Sequence, residues 1–203
     1  MAVSSKLERR EVVQTILRDR GDTLVVSGLG SPTWDVASAG DSPLNFYLWG
    51  AMGGAAMLGF GLALAQPRRR VLVITGDGEM LMGLGSLATI GAERPGNLSI
   101  VVLDNESYGE TGMQRSHTAR GVDLAAIARG ASFPSVATIL TTPELTAWLP
   151  TLHSTDGPVL TVVKVTANQP PARVPLRDGT HIKIRFREAL LGPEAGDRTS
   201  STR

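Results

Sequence analysis

The chain contains no cysteine. That excludes disulfides, cysteine-held zinc and cysteine-ligated iron–sulfur clusters, and it fits a reducing, cytoplasmic setting. An excess of either charge is missing too. Twenty Lys and Arg against nineteen Asp and Glu leave a formal net charge of +1, so the chain as a whole is drawn neither to nucleic acid nor to an anionic membrane. Aromatic residues make up only 4%, while glycine occurs 23 times, a balance that favours backbones packed closely together. Long apolar runs are absent as well. The longest, "AMGGAAMLGFGLALA" at 51–65, is too short and too rich in glycine for a membrane span and reads as a buried helix. The N-terminus, "MAVSSKLERREVVQTILRDRGD", is charged and lacks the apolar centre of a secretory signal.

What is present is an alternation of apolar runs and helical spacings. Residues 6–20 carry Leu7, Val12, Val13, Ile16 and Leu17 near one helical face. Apolar strands are expected at 22–28, 70–75, 98–105, 135–140 and 157–165. Helices are expected at 31–38, 53–65, 79–92, 123–130 and 142–152, the last capped by Thr142. Residues 40–50 and 106–121 read as loops, "HIKIRFREALLG" (181–192) as an extended docking arm, and 193–203 as a disordered tail. The strands are continuous apolar runs rather than alternating ones. That is the mark of a doubly wound α/β domain, its mainly parallel sheet covered by helices on both faces. With no internal repeat and no low-complexity linker, residues 1–192 read as a single domain.

In such sheets ligands gather beyond the carboxyl ends of the strands, and polar motifs sit there. "GLGS" (28–31) follows the first strand. Gly76-Asp77-Gly78 follows "VLVIT" (71–75), and Asn105 closes "LSIVVLDN" 28 positions after Asp77. Alone, Gly-Asp-Gly is as well read as a turn with Asp77 capping the next helix. Paired with Asn105 across one helix and one strand, it offers two hard oxygen ligands at neighbouring strand ends, suited to Mg²⁺ or Ca²⁺. A helix starting near Glu79 would aim its free N–H groups at the same place. The set reads as a metal–diphosphate site.

The stretch "GDGEMLMGLGSLATIGAERPGNLSIVVLDNESYG" resembles the motif of the thiamin diphosphate enzymes. "WGAMGGAAMLGFGLALA" is similar to the segment that grips the cofactor's aminopyrimidine ring in their decarboxylase branch. The resemblance spans roughly residues 22–165. It implies thiamin diphosphate with Mg²⁺, and it implies Asp77, the Asn105 side chain and the Ser107 carbonyl as metal ligands. Backbone at Gly76, Gly78 and Glu79, with Gly30, Ser31, Tyr108 and Gly109, would contact the cofactor. Met52 would be the apolar wedge that bends it, and the Gly50 carbonyl would accept from its amino group.

The resemblance also implies something absent. The family's chemistry starts with a glutamate from a separate pyrimidine-binding domain, and no glutamate here stands in such a pattern. The expectation is therefore a β subunit, like that of sulfopyruvate decarboxylase or its phosphonopyruvate relatives. A separate α subunit would supply the glutamate, in an α₂β₂ assembly, for non-oxidative decarboxylation of a small 2-oxo acid. Arg115 and His117, in the polar stretch "NESYGETGMQRSHT" (105–118), are candidates to meet a substrate anion, although such residues also serve as solvent-facing or interface groups. An acetolactate synthase-like carboligase subunit and a non-catalytic cofactor-binding module are the alternatives. A 2-oxo acid:ferredoxin oxidoreductase β subunit would call for cluster cysteines that the chain lacks.

Overall fold

A computed structural model describes residues 6–154 and 156–195. In chain order the elements are α1 (Arg9–Leu17), β1 (Leu24–Ser27), α2 (Ser31–Ser38), β2 (Asn45–Tyr47), α3 (Ala55–Ala65), β3 (Val71–Gly76), α4 (Asp77–Met82), α5 (Ser86–Glu93) and β4 (Leu98–Asp104). A short hairpin follows, β5 (Ser107–Tyr108) and β6 (Gln114–Arg115), and then α6 (Leu124–Gly130), β7 (Ser135–Ile139), α7 (Thr142–Leu152), β8 (Val159–Lys164) and α8 (Gly179–Leu191). Six strands form one parallel sheet in the order β2-β1-β3-β4-β8-β7. The chain first moves outward from β1 to β2, then crosses back to place β3 on the other side of β1. The crevice at that reversal, beyond the ends of β1 and β3, is where this topology accepts a ligand.

The central strands β1, β3, β4 and β8 are buried on both faces because apolar residues fill consecutive positions along them. Along β3, Val71 and Val73 face one core with α3, α4, α5 and α6, while Leu72 and Ile74 face another with α1, α2 and α7. Helix α3 lies hard against the sheet. A Cβ on Gly59 would come within 2.2 Å of Val73 Cγ2, so glycine there is a packing requirement. No helix among the described residues is long and apolar enough to cross a membrane.

Several sequence expectations need correction. Residues 40–50 are not all loop: "NFY" forms the edge strand β2, too short to show a period. The helix expected at 79–92 is two, because Gly83 and Gly85 interrupt it between α4 and α5. Thr142 is not the cap of α7; Thr141 is, in a capping box with Glu144. The stretch expected to be an extended arm is helix α8. Its "HIKIRF" alternates like a strand, but Asp178 caps the helix by accepting from Thr180 N and His181 N, and Ile182 and Phe186 fall one turn apart. Phe186 packs edge-on against Phe46 of β2, centroids 5.6 Å apart, so α8 covers the exposed edge of the sheet. Residue 193 does not begin a disordered tail among the described residues. Pro193–Ala195 form a 3-10 turn with Ala195 buried, and 196–203 lie outside the described residues.

Candidate functional site

Strand β3 ends at Gly76, and Asp77 opens α4 with only 2% of its surface exposed. No cation is paired with it among the described residues. Burial pushes its carboxyl up to about 6, the nearby Asp104 adding to the rise and the Ser116 and Thr118 hydroxyls opposing it. Thr118 Oγ1 lies 3.2 Å from Asp77 Oδ2 and 2.8 Å from Asp104 Oδ1. One hydroxyl carries one proton, so it can donate to only one of these carboxylates at a time. Asp104 has a cation of its own, Lys164 Nζ at 2.8 Å, and Lys164 also holds Glu106 at 2.9 Å. Of two neighbouring buried carboxylates, one is neutralised by the protein and the other is not.

The unneutralised one faces hard oxygens. Asn105 follows β4, whose Leu103 is paired in register with Gly76. Its Oδ1 accepts from Ser107 N at 3.0 Å, which turns the chain there. A carboxylate, an amide oxygen and a backbone carbonyl are a donor set for Mg²⁺ rather than for a soft metal. With Asp77 short of a counter-charge, the residues fit such an ion.

The segment before α3 is built to present Met52. Gly50, Ala51 and Gly53 all have positive φ, at 75°, 44° and 87°. Ala51 is held there despite its Cβ, a backbone strain of the kind found at ligand clamps. Gly53 rests on α4 so closely that a Cβ on Gly83 would lie 2.2 Å from the Gly53 oxygen. The Glu79 side chain makes the join. It is 5% exposed and accepts from Leu29 N (2.9 Å), Thr75 Oγ1 (3.0 Å) and Ala55 N (3.4 Å). One carboxylate thus ties the ends of β1 and β3 to the start of α3. Burial raises its pKa above the ordinary range, and those hydrogen bonds work against the rise.

Two hollows meet along Met52, Gly78 and Tyr108. The first lies between the ends of β1, β3 and β4. Ser31, Met52, Gly76, Asp77, Gly78, Glu79, Asn105, Ser107, Tyr108 and Gly109, all expected from sequence, line it. Its volume of about 160 Å³ is below the roughly 300–1,000 Å³ of a pocket that encloses a whole small ligand; it has room for part of one. The second is bounded by Met52, Leu81, Met82, Leu84, Val122 and His117. Gly30 and Gly50 line neither hollow. Arg115 is also outside both: it is exposed on β6, where its Nη2 donates to Ala119 O at 2.7 Å. The stretch expected as loop at 106–121 is this hairpin with two 3-10 turns. Arg9, Ser116 and Thr118 were not singled out from sequence. Their signal is weak, because a helix arginine and hydroxyls in a polar loop look alike whether they serve the site or the surface.

Residues 30–163 match the family described as thiamine pyrophosphate enzyme, C-terminal TPP binding domain. The chain belongs to this family. Thiamine pyrophosphate is thiamin diphosphate under its other name, and it is the cofactor that this family binds. The chain is similar to the β subunit of sulfopyruvate decarboxylase from Methanothermobacter thermautotrophicus, with 47% identity over 63% of this chain and 68% of that one. It is also similar to phosphonopyruvate decarboxylase from Streptomyces viridochromogenes, with 38% identity over 88% of this chain but only 45% of that one. Among solved structures, one described as a thiamin diphosphate-dependent enzyme from Mycobacterium smegmatis shares the fold. It has a TM-score of 0.67 and 24% identity over 80% of this chain and 32% of that chain.

Proposed function

We propose that this domain is the diphosphate-binding β subunit of a split, Mg²⁺-dependent enzyme that decarboxylates a small 2-oxo acid without oxidation, releasing an aldehyde. The substrate class is a pyruvate carrying a second anionic group, sulfonate or phosphonate. This follows the names of its relatives and the position of His117 in the hollow beside Met52. The observation that carries the reading is the buried, unneutralised Asp77, set with Asn105 and Ser107 in the same cleft as the Met52 wedge.

Asp77, Asn105 and the Ser107 carbonyl would hold Mg²⁺, and Gly76, Gly78 and the start of α4 would lie against the diphosphate. When bound, thiamin diphosphate supplies a carbon nucleophile for the keto group and an electron sink for the departing CO₂. The chain's own residues bind and orient. Met52 separates the two hollows, and Glu79 fixes the segment that carries it. His117, which lines the second hollow, would hydrogen-bond a substrate anion or protonate product. Arg115 would reach substrate only if its bond to Ala119 O were broken.

The glutamate that activates the pyrimidine ring would come from a separate α chain in an α₂β₂ assembly. Exposed apolar residues around the second hollow support this, Met82 at 67% and Met52 at 38% of their surface. The setting would be cytoplasmic. The test is co-expression with a candidate pyrimidine-domain chain, followed by aldehyde and CO₂ assays over a panel of 2-oxo acids. Turnover should require both chains, and robust turnover by this chain alone would overturn the split site.

A further inference from the structure

Arg9 is 3% exposed, yet it forms part of the wall of the first hollow. It is the only cationic side chain in that wall among the described residues, and no ion pair joins it to Asp77, Glu79 or Glu110, which also line the hollow. The N-terminal segment brings it there. Leu7 bridges to Val165 just past β8, which sets the first turn of α1 at the carboxyl edge of the sheet. Arg9 Nε donates to Asp35, a fully buried carboxylate of α2.

Arg10 Nε also reaches Asp35, at 3.4 Å, while Arg10 Nη2 donates to Pro171 O at 3.0 Å. Arg9 makes the closer of the two contacts with Asp35, through Nε, and Arg10 is the looser and more exposed partner. Among the described residues no other hydrogen bond holds the Arg9 guanidinium, which leaves its terminal N–H groups for an anion in the hollow whose wall it forms.

Resting on the cofactor reading above, we infer that Arg9 is a binding residue for the terminal phosphate of thiamin diphosphate. Asp35 orients it and Arg10 balances Asp35. A guanidinium matches two phosphate oxygens at once, and a divalent ion held at Asp77 would leave part of the diphosphate charge uncompensated.

The experiment is calorimetry on the full chain with its co-purified partner, in Mg²⁺. The probes are thiamin diphosphate, thiamin monophosphate and inorganic pyrophosphate. Arg9→Gln should weaken thiamin diphosphate and pyrophosphate by about tenfold or more, the usual weight of a charge-assisted hydrogen bond, and leave thiamin monophosphate nearly unchanged. Arg9→Lys should fall between, keeping the charge and losing the fork. If Arg9→Gln does not fold, the paired Arg9→Met/Asp35→Asn variant removes the cation without stranding a buried carboxylate and should show the same selective loss. Unchanged diphosphate binding, or equal weakening of all three probes, overturns the inference while leaving the cofactor reading intact. Wild-type protein that binds no diphosphate, with Asp77→Ala indistinguishable from it, overturns both.

Discussion

The two hollows that meet at Met52 are finished to different degrees. Around the first, several polar groups are buried and bonded within the chain, Asp104 by Lys164 and Thr118, Glu79 by three backbone or hydroxyl donors and Ser116 by Thr118, while Asp77 has no cation among the described residues. Around the second, large apolar side chains stand in solvent, Met82 and Met52 foremost, with Val122 at 36% exposure beside them. On the proposed function, the uncovered methionines are half of an interface. The chain would then build the diphosphate and metal end of the site by itself, and the end that takes the cofactor's rings and the substrate would be completed by the α chain.

The largest effect that would break this contrast is at Asp77. Asp77→Ala should abolish Mg²⁺-dependent thiamin diphosphate binding in calorimetry, and the cofactor-free chain should still unfold cooperatively, since no ion pair is lost. Next is Thr118→Val, which keeps shape and removes the shared donor. Partners behind a metal ligand typically contribute about 10–100-fold in affinity, so the Kd for Mg²⁺ should rise by that order, with Thr118→Ser restoring most of it. Gly83→Ala tests the join between the two hollows. Its Cβ would meet the Gly53 oxygen at 2.2 Å, so urea titration should show a loss of about 1–3 kcal/mol, the usual penalty of overpacking. Met82→Ser sharpens the other side of the contrast. Stability of the isolated chain should move by no more than about 0.5 kcal/mol, while co-purification with the α chain and turnover by the complex should drop.

The smallest effect lies far from both hollows, at His153. Burial, then the charge of Arg70, lowers its pKa below the ordinary value, against the pull of a hydrogen bond to Ile16 and the charge of Asp19. A depressed folded-state pKa means that the unfolded chain binds the proton more readily. Stability is therefore held above the unfolded value and lost as pH falls through it toward the folded one. Urea midpoints followed from about pH 7 down to pH 5 should decline slightly less in His153→Gln than in the parent. An identical slope would count against the assignment.

Much of the site was legible because its parts are local. Gly76-Asp77-Gly78 must follow an apolar strand, Asn105 must close the next one, and Gly50–Gly53 must precede a small-residue helix. Each is a pattern of neighbours. The rest was not legible, because its partners are distant in sequence. Glu79 sits beside the expected diphosphate turn, but that its side chain reaches Leu29 and Ala55 depends on how β1 and α3 pack on α4. Thr118 meets Asp77 only through the fold of the β5–β6 hairpin. Arg9 reaches the cleft only because Leu7 pairs with Val165. Helix α8 was misread as an extended arm because "HIKIRF" alternates, and capping by Asp178 with burial of Phe186 on β2 outweighed that pattern.

By itself, then, the sequence determined the parallel α/β architecture, through continuous apolar strands separated by helical spacings. It also marked the candidate site at the strand ends, through hard oxygen donors and bare glycine backbone. Tertiary structure alone decided which buried carboxylate keeps a free charge, which arginine faces the cleft, and which apolar residues stay uncovered. Charge balance and exposure are properties of surfaces brought together from remote parts of the chain, and no local pattern encodes them.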